Sequence, residues 1–319
     1  MANLTTTSQI DAGAELYYDR MLLIRARPYL IHDRWAQSRP MPSGQGEVIK
    51  FRQYTNLSTA TTVLSEGITP SGKQLAKTDI TATVYQYGDF VHITDRVDIT
   101  NTSGELNEAN ELLAQQMAET TDEIIRNVLT TCASASTSQE TNDVLSKAEI
   151  DGVVQTLLGN SAKPINEVIS ATTGVSTEAV RKSFWGTMHT DMIDDLETVT
   201  NFISTANYPS QSPVLDEEWG ATGNVRWVHS PNAISGATEN DAFDGGVTGS
   251  YYWLNIIGKN AYAIVDLKEG NAKSIIKEYG SSGTADPLNQ RMTMGWKAYF
   301  TARVLNDNFM HILKVLHTT

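Results

Sequence analysis

Residues 286–316 read DPLNQRMTMGWKAYFTARVLNDNFMHILKVL, and this stretch decides how the chain folds. From Trp296 onward the apolar and polar residues alternate, which is the pattern of a half-buried β-strand. Asp286-Pro287 is a turn initiator, Gly295 permits a bulge or a close approach of two backbones, and LNDN at residues 305–308 favours a second turn. The pattern predicts a closing β-hairpin that is entered through a tight turn.

Two cations in this stretch are candidates for chemistry. Arg291 and Lys297 would look catalytic in isolation, but neither has a partner in the neighbouring sequence. We therefore favour a structural role, or a contact with another chain, for both. In the same interpretation Trp296 anchors the hairpin.

The clearest helix signal lies upstream, in TSGELNEANELLAQQMAETTDEIIRNVLTT at residues 102–131. Thr102 followed by Glu105 makes a capping box, which marks a helix start. Apolar residues then recur at helical spacing, namely at Leu106, Ala109, Leu113, Met117, Ile124 and Val128. Unbroken, the helix would be on the order of 40 Å long, which a globular enzyme domain rarely needs.

Two predicted strands flank a long polar connection ahead of this helix. EVIKFRQYTNL at residues 47–57 places its apolar residues on two faces, and TDITATVYQYGDFVHITD at 78–95 is its predicted partner. The residues between them contain Gly67, Pro70 and Gly72 and are too many for a tight turn. Loops of this length are usually functional or reach another molecule.

The remaining elements alternate between helix and strand. A helix is predicted to end near Gly159, a short strand to lie near Trp185, and a further helix to begin at about Thr190. Strands are predicted in NVRWVHSPNAI and in YYWLNIIGKNAYAIVDL, with a turn at GKN (residues 258–260). Strands before and after a long helix indicate the α+β class.

The N-terminal segment is dense in arginine. A helix is predicted from Asp11 to Pro28, where the proline ring interrupts the pattern. Five arginines lie in or just after it: Arg20, Arg25, Arg27, Arg34 and Arg39. They would contact phosphate, or they would pair with acidic surfaces of neighbouring chains. We favour the second interpretation because arginine is enriched at protein interfaces.

Composition excludes several classes of protein. Of 319 residues, 40% are hydrophobic and 19% charged, as in ordinary globular proteins. The net charge of −13 argues against a general nucleic-acid-binding module, because phosphate would be repelled. The longest apolar runs, such as MLLI, are too short to span a membrane. The single cysteine, Cys132, fits a reducing compartment, and we interpret it as a structural thiol.

One segment offers ligands for a metal ion. HTDMIDD at residues 189–195 contains His189, Asp191, Asp194 and Asp195, and Asp191 and Asp195 share a helix face. Acidic residues are also the ordinary decoration of a helix N-terminus. A metal-dependent hydrolase that uses His189, Asp191 and Asp195 is therefore kept as an alternative. We predict no enzyme and no cofactor, since no nucleophile elbow or phosphate-binding loop is present.

Three sequence elements in register point to a family. Glu66, Gly67, Thr69 and Pro70 form an EG-x-TP element, residues 81–84 and 86–89 form TATV-x-QYGD, and residues 286–290 and 295–297 form DPLNQ-x-x-x-x-GWK. Together they resemble the major capsid protein of tailed bacteriophages of the N-four type. The resemblance runs along nearly the whole chain in the same order.

The resemblance implies the α+β shell-forming fold that tailed-phage and herpesvirus capsids share. Its expected regions are an N-terminal arm at 1–44, an extended β-loop at 45–95 and a peripheral domain with a long spine helix at 96–140. A mainly axial domain would follow at 141–275. The strands of residues 276–319 would return to the peripheral and axial sheets.

The resemblance also implies inter-subunit contacts. In the extended loop the expected contact residues are Leu64, Glu66, Gly67, Pro70, Lys73 and Lys77. In the arm they are Arg20, Arg25, Arg27 and Arg34. The structural signature consists of Asp286, Pro287, Gln290, Arg291, Gly295, Trp296 and Lys297.

The function that follows is architectural. The chain would assemble through hexamers and pentamers into an icosahedral head that encloses double-stranded DNA without sequence-specific binding, first in the host cytoplasm and then in the virion. A separate scaffolding protein and a portal protein are expected partners, a decoration (cement) protein is an optional one, and no membrane is involved. An encapsulin-like bacterial compartment is the alternative within the same fold.

Overall fold

A computed structural model describes residues 30–317, except 43, 45, 65, 68, 70, 101–104, 139–143, 166–179, 210–213, 236, 241–247, 268–272 and 282–285. The strands form a five-stranded sheet, an eight-stranded sheet and a separate two-stranded hairpin. The α+β class is thereby confirmed. The helix predicted between Asp11 and Pro28 and the capping residue Thr102 lie outside the described residues.

The elements are numbered in chain order. The strands are β1 (Gln37–Ser38), β2 (Val48–Tyr54), β3 (Lys77–Thr83), β4 (Tyr85–Thr94), β5 (Ala135–Thr137), β6 (Phe184–His189), β7 (Phe202–Ser204), β8 (Glu218–Thr222), β9 (Val225–Ser230), β10 (Ala237–Asn240), β11 (Thr248–Ile257), β12 (Tyr262–Asp266), β13 (Lys273–Lys277), β14 (Arg291–Val304) and β15 (Met310–Leu316). The helices are α1 (Asp95–Thr100), α2 (Glu105–Leu129), α3 (Lys147–Gly159) and α4 (Ile193–Thr198).

Strand β14 is the centre of the five-stranded sheet. Its residues 291–300 pair antiparallel with β4. Residues 293–297 also pair with β13, so β4 and β13 flank β14 on opposite sides. Residues 300–304 pair with β12, which carries β1 as a parallel neighbour. One strand of 14 residues therefore organises the whole sheet.

Helix α2 packs against one face of this sheet. Every second residue of β14 is buried there, namely Met292, Met294, Trp296, Ala298 and Phe300. They contact apolar residues of α2 that include Leu113 and Met117. The indole N–H of Trp296 donates to the side-chain oxygen of Gln116 at 3.1 Å. At 25 residues, α2 is about 37 Å long, close to the predicted length.

The eight-stranded sheet runs in the order β5-β15-β11-β6-β9-β8-β7, with β10 also paired to β11. Helices α3 and α4 cover one face of it. Their apolar residues, such as Leu157 and Leu196, meet Phe184, Trp227 and Leu254 of the sheet, and all five are buried. Each fully buried side chain of this size stabilises the fold by about 1.5–3 kcal/mol.

A buried ion pair lies within this sheet. The side chains of Arg226 and Glu218 are only 2% and 0% exposed, and the Arg226 Nε–H donates to Glu218 at 2.6 Å. The hydroxyl of Tyr208 donates to the same carboxylate at 2.9 Å, and burial raises the pKa of that phenol. The guanidinium carbon lies 4.6 Å from the ring centroid of Trp185. Charge, hydrogen bonds and an aromatic face together compensate for burying the cation.

A second apolar cluster joins the two sheets. It brings together Ile125 and Leu129 of α2, Ile264 of the five-stranded sheet and Ile312 of the eight-stranded sheet. Trp35, which precedes β1, stacks on Trp185 with a centroid distance of 5.2 Å. The arm segment, α2 and both sheets therefore share one core.

The predicted closing hairpin is wrong. The turn is present, because a 3₁₀ helix at Asp307–Phe309 follows Asn306, whose side chain accepts the Asn308 N–H. However, β14 belongs to the five-stranded sheet, whereas β15 lies between β5 and β11 of the eight-stranded sheet. The turn predicted at residues 258–260 likewise joins β11 of one sheet to β12 of the other. Both turns are crossovers between sheets.

Most other predicted elements are confirmed. The long helix occupies Glu105–Leu129, and the following helix ends at Gly159 as predicted. The strand predicted near Trp185 is β6, and a short 3₁₀ helix at Thr190–Met192 leads into α4. The segment that is predicted to form one partner strand of β2 forms two strands. Strand β3 pairs with β2, whereas β4 joins the five-stranded sheet.

The close approach of β4 and β14 requires glycine at position 295. A Cβ there would lie 2.7 Å from the Cβ of Phe90 and 2.8 Å from the carbonyl oxygen of Asp89. We expect Gly295→Ala to reduce the free energy of unfolding by about 1–3 kcal/mol, because the backbone of β4 must move. Urea denaturation of the unassembled subunit measures this change.

Gly152→Ala is the matched control. Position 152 lies within α3, and a Cβ there meets no atom within 4 Å. Because alanine is the better helix former, this variant should be neutral or more stable by up to about 1 kcal/mol. Equal stability of Gly295→Ala and the wild type would contradict the prediction.

Candidate assembly surfaces

The hairpin of β2 and β3 projects from the five-stranded sheet. Its base packs on the sheet through Ile49 and Phe51, which contact a cluster containing Val265 and Tyr299. The strands pair from Val48↔Thr83 to Tyr54↔Lys77. The predicted extended β-loop of residues 45–95 therefore divides: residues 48–83 form the hairpin and its loop, whereas β4 is part of the sheet.

The loop of this hairpin exposes apolar side chains. Leu57, Val63, Leu64 and Leu75 are 53%, 89%, 71% and 71% exposed. Several apolar side chains exposed to this degree in one loop are unusual on a surface that meets only water. They make the loop a candidate assembly surface.

The structure places the predicted loop residues as follows. Leu64, Glu66 and Gly67 are exposed, and Gly67 adopts a positive φ of 76° in a turn. Pro70 lies outside the described residues. Lys77 begins β3 and is exposed, whereas the Lys73 ammonium binds oxygens of its own chain at Ser58 and Thr59. Contact of these residues with another subunit stays a prediction.

Beside the hairpin base lies a groove of about 470 Å³ on the same sheet face. Its floor is Gly295, which pairs with Phe90 of β4 on one side and with Ile275 of β13 on the other. Phe90 and Ile275 are 59% and 41% exposed, so the groove has apolar walls. Lys297 lies at its edge, with its ammonium 5.0 Å from the ring centroid of Tyr299.

The signature residues shape the entry to β14. The buried carboxylate of Asp286 accepts the backbone N–H of Arg291 at 2.8 Å and lies 3.8 Å from its guanidinium. Pro287 follows in the turn, and the carbonyl of Gln290 accepts the N–H of Asp95 at 3.1 Å. This turn therefore ties the start of β14 to the start of α1.

The arm enters the body of the protein at residues 30–35. Arg20, Arg25 and Arg27 lie outside the described residues. Arg34 donates two hydrogen bonds to Glu217, at 2.6 and 2.9 Å, and these bonds raise the pKa of the guanidinium. Arg34 thus binds an acidic residue of its own chain. A contact of Arg34 with a neighbouring subunit stays a prediction.

A buried carboxylate of α2 fixes the same segment. Asp122 accepts the backbone N–H groups of Ile31 and His32 at 3.0 and 2.9 Å, and its other oxygen lies 2.9 Å from His32 Nδ1. Asn232 donates to it at 3.3 Å. Burial alone would raise the pKa of Asp122, but its interactions with His32 and Ile31 outweigh burial and lower it.

Our sequence reasoning missed Asp122 and Glu217. A signal existed for Asp122, because it lies three residues before Ile125 and seven before Leu129, on the apolar face of α2. A carboxylate on an apolar face needs buried donors. For Glu217, nothing in the surrounding sequence distinguishes it from its neighbour Glu218.

The metal candidates do not converge on one point. His189 Nδ1 lies 3.2 Å from Asp191, whereas Asp195 lies 2.7 Å from His317 Nδ1. The hydroxyl of Tyr252 donates to Asp191 at 2.9 Å. Within the described part of the chain, no three His, Cys, Asp or Glu side chains are arranged to hold a metal ion. The same part contains no helix long and apolar enough to cross a membrane.

Comparison with known proteins agrees with this geometry. A family model described as phage capsid protein matches residues 77–315. No curated protein matches the chain in sequence.

Solved structures resemble the whole fold. The capsid of Ralstonia phage GP4 superposes with a TM-score of 0.69 at 12% identity, covering 100% of this chain and 99% of that one. The capsid asymmetric unit of cyanophage Pam1 gives 0.65 at 14% identity, with 99% and 98% covered. The head of Helicobacter pylori bacteriophage KHP40 gives 0.63 at 12% identity, with 100% and 98% covered. The predicted tailed-phage capsid fold is confirmed.

The Asp122 anchor predicts a pH-dependent stability. A carboxyl group with a lowered pKa stabilises the fold above its unfolded pKa of about 3.9, and this contribution is lost as the pH falls through its folded pKa. Asp122→Ala should therefore be about 2–4 kcal/mol less stable than the wild type at pH 7. The difference should shrink below about pH 4. Urea unfolding over this pH range measures both values.

Glu123→Ala is the control for Asp122→Ala. Glu123 is the next residue of α2, its side chain is 59% exposed, and it pairs only within the helix with Arg126. We expect its stability to stay within about 0.5 kcal/mol of the wild type. A difference between Asp122→Ala and the wild type that does not change with pH would contradict the assigned role.

Proposed function

The chain belongs to the phage capsid protein family, and from this membership we propose that it is the major shell subunit of a tailed-phage head. In this proposal it assembles through pentamers and hexamers into an icosahedral shell that encloses double-stranded DNA, in the host cytoplasm and then in the virion. The observation that carries the proposal is the projecting hairpin, whose exposed Val63 and Leu64 suit a contact with a neighbouring subunit.

In this proposal the hairpin loop and the groove at Gly295 allow the same contact to repeat from one subunit to the next. One subunit carries both a projecting apolar loop and an apolar groove, and the two are different surfaces. Contacts between unlike surfaces are heterologous, so they close into rings when the rotation between copies permits. In the proposal, the loop residues that approach the next subunit are Leu64, Glu66, Gly67, Pro70, Lys73 and Lys77.

The arm supplies a second set of contacts in the proposal. Arg20, Arg25 and Arg27 precede the segment that Asp122 and Glu217 hold in place. Asp122 binds the backbone of Ile31 and His32, and Glu217 binds Arg34, so the segment that follows these arginines in the sequence is fixed. They would pair with acidic residues of neighbouring subunits, with Arg34 at the margin of the same contact. Many modest contacts of this kind give a stable lattice through multivalency.

In the proposal the regions of the shell subunit keep the predicted order. The peripheral domain would comprise residues 96–140, which contain α2, and the strands at 276–319 that return to the peripheral and axial sheets would include β14 and β15. The axial domain would be mainly residues 141–275, which contain the strands β6 to β11 of the eight-stranded sheet. The arm would comprise residues 1–44, and within the predicted extended β-loop of residues 45–95 the projecting part would be the hairpin of residues 48–83.

The proposed partners are those that a closed shell requires. A separate scaffolding protein would set the size of the shell, a portal protein would occupy one vertex, and a decoration protein is an optional addition. The net charge of −13 would keep the wall from binding DNA tightly, so that the genome is enclosed without sequence-specific contacts. The role is structural, with no enzymatic step.

Electron microscopy of the purified chain tests this function. We expect shells, or hexameric and pentameric capsomers. A discrete small oligomer would contradict the proposal. If shells form, co-purification of an enzyme cargo would favour the encapsulin-like alternative over a phage head.

A charge in the loop should block assembly. Leu64→Asp places a carboxylate at a position where the leucine side chain is 71% exposed, so the subunit should fold normally. Burying that charge between subunits is costly, and we expect shells to be lost. Leu158→Asp, at an exposed position of α3 (49%), is the control that should still assemble. Normal shells from Leu64→Asp would show that the loop is not an interface.

A further inference from the structure

The loop between β2 and β3 is closed at two points. The N–H of Thr55 donates to the carbonyl of Ala76 at 2.9 Å, which continues the strand ladder by one step. Further out, the Lys73 ammonium donates to the hydroxyl of Ser58 at 2.8 Å, to the carbonyl of Thr59 at 3.3 Å and to the carbonyl of Ser58. The Lys73 ammonium therefore joins the two ends of the segment between residues 59 and 72.

We call these three hydrogen bonds of Lys73 the clip. The clip uses the full donor capacity of the lysine. An ammonium has three N–H donors, and three oxygens of the opposite side of the loop accept them. Two of the acceptors are backbone carbonyls, so the clip fixes the path of the main chain. Lys73 thus points toward its own chain.

The closed part of the loop carries the exposed apolar residues. Val63 and Leu64 are 89% and 71% exposed and lie between the clipped residues Ser58 and Lys73. A loop whose ends are free must be ordered when it docks, and this ordering weakens binding. A loop closed by the clip has lost part of that freedom before docking.

We propose that Lys73 is a positioning residue for assembly, which pre-organises the loop so that Val63 and Leu64 are presented to a second copy of the chain. This inference rests on the proposed function. It assigns Lys73 a role inside its own subunit, in contrast to a direct salt bridge across the interface. The apolar residues make the contact, and the lysine holds the loop that presents them.

The first experiment measures the clip in the unassembled subunit. A spin label on Thr61→Cys reports the mobility of the loop. The native Cys132 is buried and its pKa is raised to about 11 by burial, so the label reacts at position 61. Lys73→Ala should mobilise the label. Lys73→Arg, which keeps charge and donors, should restore most of the order, and Lys50→Ala, at an exposed position of β2, should leave the spectrum unchanged.

The second experiment measures the concentration at which shells or capsomers form, in the full-length chain without the label. Lys73→Ala should raise this concentration by about threefold to tenfold, which corresponds to on the order of 0.6–1.4 kcal/mol for ordering the loop at one contact. Lys73→Arg should assemble at a concentration close to that of the wild type. Lys50→Ala removes the same charge from an exposed position of β2 in the same hairpin without touching the clip, and it should assemble as the wild type does.

Three outcomes would overturn the inference. An unchanged label spectrum in Lys73→Ala would mean that the clip does not order the loop. A mobilised label with an unchanged assembly concentration would mean that assembly does not use this order. An equal effect of Lys50→Ala would mean that positive charge alone matters. A discrete small oligomer of the wild type, in place of shells or capsomers, would instead refute the proposed function, so the two failures are distinguishable.

Discussion

The packing of α2 on one face of β14 is the constraint on which the rest of the structure depends. Buried residues at alternate positions of β14, from Met292 to Phe300, meet the apolar face of the helix. The strand pairs on both edges, so fixing its face also fixes the register of β4, β12 and β13. The opposite face then carries the hairpin base and the groove at Gly295. One interaction thereby places both candidate assembly surfaces.

Periodicity predicted the two elements of this interaction well, and it predicted neither their packing nor the strands that lie beside them. The alternation after Trp296 and the helical spacing from Leu113 to Val128 record local geometry, and both elements are where the sequence places them. The partner of each strand is a non-local property. The turns at 258–260 and 305–308 are real, yet each joins the two sheets. A turn signal shows that the chain reverses direction, and it does not show which strand lies alongside.

The sequence predicted the projecting loop but not the contacts that hold the loop and the arm in place. The length of the connection between β2 and β3 and its glycines marked it as a projecting loop, because a compact domain has little use for such a segment. The clip at Lys73 was invisible, since its acceptors are mainly backbone carbonyls that every residue possesses. The same holds for Asp122, which orders the arm through two backbone N–H groups. Side-chain patterns do not record contacts made to the backbone.

Rigidity and projection are combined in one subunit. Arg226, Asp122 and Trp296 each satisfy their polar groups inside the body, so the two sheets, α2 and the start of the arm are joined through buried contacts. Residues 31–34 at the start of the described chain are held by Asp122 and Glu217, and the base of the projecting hairpin is held by the cluster around Val265. A projection with a fixed base and an apolar tip can repeat the same angle in every copy. A closed shell requires this repetition, because small variations in the angle at each contact would accumulate around a ring and prevent its closure.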